Sequence, residues 1–153
     1  MSTLYPTKWS AYSQTKTAMF AAGGLKNITN AAGAISGEID NTAGDTEMDL
    51  ELLIDLATAA TAGGAVYLWF IKAIDGTNYE SGSASVFPAK APDVIIPVRS
   101  TTDDSQVVAV GPCLMPQGKF KVIFQNNTGQ TTTNTDSLSQ LSYRSYNTNV
   151  VAP

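Results

Sequence analysis

Thr46-Glu47-Met48-Asp49-Leu50-Glu51-Leu52-Leu53-Ile54-Asp55-Leu56 is the stretch on which the fold turns. Met48, Leu50, Leu52, Ile54 and Leu56 alternate with Glu47, Asp49, Glu51, Leu53 and Asp55. That is the two-residue period of a strand with one buried and one solvated face. Downstream, Ala65-Val66-Tyr67-Leu68-Trp69-Phe70-Ile71-Lys72-Ala73-Ile74 is apolar at both odd and even positions and dense in β-branched and aromatic residues. It is too short to cross a bilayer, so it predicts a central strand covered on both faces.

The rest of the chain follows from these two strands. Asp75-Gly76-Thr77-Asn78 is turn chemistry, with Asp-Gly a strong hairpin signal. Pro88, Pro92 and Pro97 break the next stretch, so Asp93 to Ser100 reads as an edge strand whose proline blocks further pairing. Gln106 to Gly111 is a short apolar strand, and Pro112 to Gly118 a corner punctuated by proline and glycine. Lys119 to Gln125 alternates with Phe120, Val122 and Phe124 on one face. Asn126-Asn127-Thr128-Gly129 turns the chain, Gln130 to Ser137 is a Thr- and Asn-rich loop, and Leu138 to Val151 is a final strand with Leu141 and Tyr143 opposed to Arg144 and Tyr146. Trp69, Phe70, Phe120 and Phe124 are assigned to the core.

Residues 1 to 45 differ. They are rich in Ala, Gly, Thr, Ser and Asn, with no sustained apolar period, and read as an extended arm with short strands near Thr15–Ala21, Leu25–Thr29 and Ala34–Ile39. Gly23, Gly24, Asn27, Thr29 and Asn30 disfavour a helix there. The expected architecture is therefore all-β: an antiparallel β-sandwich or jelly-roll-like barrel over residues 46–153, preceded by an extended N-terminal arm over 1–45.

Composition narrows the function. The 153-residue chain has no histidine, one cysteine and a net charge of -4. Without histidine it lacks the commonest general base at neutral pH and the commonest zinc ligand. Cys113 cannot form an intrachain disulfide, and its Gly-Pro-Cys-Leu-Met-Pro surroundings suggest a buried structural thiol. The scattered cations give no grip on a nucleic-acid backbone, and no segment reads as a signal peptide or membrane span. No nucleotide motif occurs, so no cofactor is expected.

Glu38, Asp40, Asp45, Glu47, Asp49, Glu51 and Asp55 fall between Lys26 and Lys72, an interval with no cation. A pair of carboxylates could act as acid and base on a glycoside. The simpler reading places Glu47, Asp49, Glu51 and Asp55 on the solvent face of one strand. Asp40-Asn41-Thr42-Ala43-Gly44-Asp45 resembles a calcium loop only loosely, lacking alternate acids and a closing Glu.

Three patterns carry a resemblance: Tyr67 to Glu80 with its Asp75-Gly76-Thr77-Asn78 close, the Val94-Ile95-Ile96-Pro97 strand, and Lys119-Phe120-Lys121-Val122-Ile123-Phe124-Gln125-Asn126-Asn127-Thr128-Gly129. With the terminal Tyr146–Val150 strand, they make the region from Val66 onward resemble small virion structural proteins of tailed bacteriophages. The resemblance implies a non-enzymatic capsid decoration, or cement, subunit located in the virion and made in the host cytoplasm. Its implied partners are the major capsid protein and further copies of itself, as a homotrimer. The arm would bridge neighbouring capsomers, its contacts strengthened by symmetry. Tyr5, Trp9, Tyr12, Met19 and Phe20 are the candidate partner-binding residues; Tyr5 and Trp9 either fold back on the sandwich or anchor the arm in a neighbouring subunit. A tail or head-to-tail connector component and a carbohydrate-binding adhesion module are the alternatives.

Overall fold

The computed structural model describes residues 7–9, 15–100, 105–135 and 138–150, with backbone alone at 7–9 and 148–150. Among them are eleven strands and no helix: β1 (Thr7–Trp9), β2 (Thr17–Ala18), β3 (Gly33–Ile35), β4 (Ile39–Asn41), β5 (Glu47–Asp55), β6 (Ala65–Lys72), β7 (Val94–Pro97), β8 (Ser105–Leu114), β9 (Gly118–Asn127), β10 (Gln140–Tyr146) and β11 (Thr148–Val150). Two antiparallel sheets pack as a sandwich. One has the order β2-β10-β5-β8; the other runs β3-β9-β6-β7, with β4 also paired to β9. β1 and β11 form a separate two-stranded ribbon.

The alternation read from Met48 to Leu56 faces the core: Met48, Leu50, Leu52, Ile54 and Leu56 are all buried. They meet Val66, Leu68 and Phe70 of β6 and Phe120, Val122 and Phe124 of β9 between the sheets. Phe70 and Phe120 pack edge to face at 6.0 Å, an arrangement favoured by the ring quadrupoles. The opposite face of β6 and β9 carries Trp69, Ile71 and Ile123, which form a second buried cluster. The long β6–β7 connection covers it. Phe87 stacks on Trp69 at 5.5 Å, and the indole Nε1 donates to the Lys90 carbonyl at 3.0 Å. A central strand apolar on both faces is thus explained by a loop lying where a solvated face would otherwise be. The Asp75-Gly76 turn forms as expected: Gly76 has φ +76°, and Asp75 Oδ1 accepts from Thr77 N and Asn78 N at 2.9 and 2.7 Å.

The segment read as an arm is built differently. From Thr17 to Asn41 it adds β2 to one sheet and β3 and β4 to the other. It also places Met19, Phe20, Leu25 and Ile39 in the main core. Residue 45 is therefore not a packing boundary. β3 and β4 form one interrupted edge along β9. At the break Ser36 N donates to Val122 O, and Ser36 Oγ accepts from Val122 N at 2.8 Å. The expected strand at Leu25–Thr29 is a series of turns, held by buried Asn126, whose Nδ2 donates to Ile28 O and Gln130 O at 2.8 and 2.6 Å. Two further expectations need correction. β8 runs through Pro112 to Leu114 where a corner was expected, as an edge strand can because one side of its backbone needs no partner. Asp55 is buried, its Oδ2 accepting from Thr133 Oγ1 at 2.7 Å, because residues 131–133 and Ser139 bond to that end of β5 and the chain just after it.

Candidate interaction surface

Of the acidic residues singled out from sequence, most are engaged in structure, whereas Glu47 Oε2 is buried without a hydrogen-bond partner among the described residues. Glu38 Oε2 accepts from the Tyr79 hydroxyl, and its Oε1 pairs with Lys119 Nζ at 2.8 Å. The Lys119 ammonium first, and then the Tyr79 hydroxyl, hold the Glu38 carboxyl below the ordinary range. Bonds donated by Thr42 lower Asp40 in the same way. A general acid needs the opposite shift, toward neutral pH. Asp49 accepts from the Tyr146 hydroxyl at 3.2 Å, and Glu51 pairs with Lys16. In the Asp40–Asp45 loop the oxygens serve the turn itself: Asn41 Oδ1 accepts from Asp45 N at 3.0 Å, while Asn41 Nδ2 and Gln117 Nε2 both donate to Asp45 O. Among the described residues no three carboxylate or thiol groups converge as metal ligands would.

The surface offers something else. Where the β7 and β8 edges approach, Gln106 ties the two sheets together: its Oε1 accepts from Arg99 N and its Nε2 donates to Arg99 O, both at 2.8 Å. Further along, the edges part around a groove of about 560 Å3 whose lining includes buried Phe70 and Met115 and exposed Ile95, Pro112 and Leu114. Half-buried Cys113 also lines it. Burial, and then the negative charge of Asp49, push its thiol pKa up, so a low-pKa reactive role is disfavoured. Lys72 lies on the wall of this groove and of a second, of about 460 Å3, beside Ile74 and Gly76. Ile74 is 89% exposed, Leu114 81% and Ile95 55%. Ile95 and Leu114 line the first groove and Ile74 the second, and Lys72, on the wall of both, forms no ion pair with the described residues.

The candidate partner-binding residues fall elsewhere. Tyr5 and Tyr12 lie outside the described residues, and Trp9 is described only as backbone, opposite Thr148 in β1. Met19 and Phe20 are 4% and 5% exposed, and Phe20 packs edge to face on Phe124 at 6.2 Å. Their assignment to a partner is corrected, since the chain's own core occupies both side chains. Sequence reading missed Ile74, Ile95 and Leu114. Only the position of Ile74 directly before the Asp-Gly turn, and of Leu114 between two prolines, could have marked them as exposed. No protein-family model matches the chain, and comparison with curated proteins found no match.

Proposed function

We propose that the chain is a non-enzymatic virion structural subunit, a capsid decoration protein that joins neighbouring capsomers, with the major capsid protein and further copies of itself as partners. The observation that carries this reading is the exposed aliphatic lining of two grooves that share Lys72, with Ile95 and Leu114 on one and Ile74 on the other. Monomeric domains scatter such side chains singly, whereas clustered ones mark contact surfaces. The expected arm contact is no part of the mechanism over residues 17–41, whose strands belong to the chain's own sheets. Docking is instead assigned to these two grooves.

Covering Ile74, Leu114 and Ile95 removes apolar surface worth on the order of 5 kcal/mol before the cost of association. That is weak for a single contact. Several copies engaging one shell turn weak contacts into firm attachment, and Lys72 supplies a charge that selects an acidic or carbonyl-rich mate. The test is co-sedimentation of purified chain with capsids assembled without it. Saturable pelleting is expected, and an I74D/L114D variant with unchanged circular dichroism should bind at least tenfold more weakly. Equal pelleting of the variant, or association with tails alone, would refute the assignment.

A further inference from the structure

We infer that β8 is a self-pairing edge, through which two copies of the chain join antiparallel about a twofold axis to make one continuous sheet. The inference rests on reading the chain as an assembling subunit, but its test needs no capsid.

Among the described residues β8 is the terminal strand of its sheet, paired only to β5. It is ten residues long, and from Ser105 to Leu114 it contains no charged residue. Natural edges of that length are usually blunted by lysine, inward charges, proline or bulges. Here the protection is confined to one half. The register with β5 shifts between Met48 and Leu50, and Pro112, which lacks an N–H, follows at once. Ser105-Gln106-Val107-Val108-Ala109-Val110 has neither device. It is a neutral, β-branched run of the kind that pairs readily with its own kind.

Charge identifies the mate. A twofold axis perpendicular to the sheet sets the outward row of one strand against the same row of the other, so any charge near the axis would meet its like. The outward row here is Val107, 65% exposed, and exposed Ala109. The inward row, Gln106, Val108 and Val110, is buried or half-buried. Neutral rows are self-compatible, and Ala109 leaves room beside Val107. The opposite edges of the sandwich do not compete on these terms: β2 has two residues and β4 carries Asp40. Strand pairing alone covers less than the roughly 1,000 Å2 of a stable interface, so association should depend on concentration.

Sedimentation equilibrium of the wild-type chain across the micromolar range tests this. A mass rising toward twice 16.1 kDa is expected. V107K and V107E should each remain monomeric with wild-type melting midpoints, and an equimolar mixture of the two should restore the dimer. A wild-type chain that stays monomeric or forms a trimer, or a V107K chain that dimerises as wild type does, overturns the inference. Capsid pelleting by monomeric V107K would leave the decoration reading intact while self-pairing is judged separately.

Discussion

Truncating Phe20 distinguishes a core residue from a contact residue. Its ring is 5% exposed and packs against Phe124, which is fully buried. Removing a buried phenylalanine costs about 3–5 kcal/mol, through lost transfer free energy and the cavity left behind. The lower end fits here, because Phe20 follows a two-residue strand at the border of its sheet and the flanking chain can partly collapse. Phe20→Ala should therefore cost about 3 kcal/mol and lower the melting midpoint by roughly 6–12 °C for a domain of this size. In urea the midpoint should fall by about 1–2 M with the slope unchanged. Trp69, buried beside Phe87, is a suitable fluorescence reporter. A loss under about 0.5 kcal/mol, the range of ordinary surface substitutions, would refute the packing of this segment in the monomer.

Other outcomes follow from the same structure. Asn126→Ala removes side-chain bonds to Ile28 O and Gln130 O and leaves Thr128 N–H without this acceptor, and should cost about 1–3 kcal/mol in urea unfolding, with faster hydrogen exchange at residues 28–32. Gly33→Ala would put a Cβ 2.5 Å from the Phe124 carbonyl oxygen, backbone that cannot swing away, and should destabilise by about 1–3 kcal/mol in the same assay. Bonds from the Asn78 and Thr77 backbones hold Asp75 down at about 2. Its folded pKa lies below the unfolded value, so its stabilisation is present above the unfolded pKa and is lost as pH falls toward 2. Asp75→Asn should flatten the stability profile across that acid window, and an unchanged profile would rule out the linkage. Cys113, with its raised pKa and partial burial, should react with iodoacetamide at neutral pH more slowly than the same thiol in urea-unfolded chain, as mass spectrometry would show.

How far sequence revealed this molecule varied with strand length and with the number of faces covered. β5, β6 and β9 were legible because eight to ten residues are enough to display a period, or its absence on a doubly covered strand. β2, β3 and β4 have two or three residues each. No period can show in so few, and the chain around β3 and β4 is held by Ser36 and Asn126, whose side chains bond to distant backbone. The candidate surface was hidden for another reason. Val107 and Val108 look alike in sequence, yet one is outward and the other half-buried, and only the pairing with β5 decides which. Ile74 and Leu114 likewise resemble core residues until the turn and the edge that carry them are placed.

The most direct test of a decoration role is cryo-electron microscopy of virions labelled with an antibody fragment against this chain. Label over the outer shell at junctions between capsomers, with Ile74 and Leu114 toward the shell, is the expected result. Label on the tail alone, or virions that carry none, would contradict it.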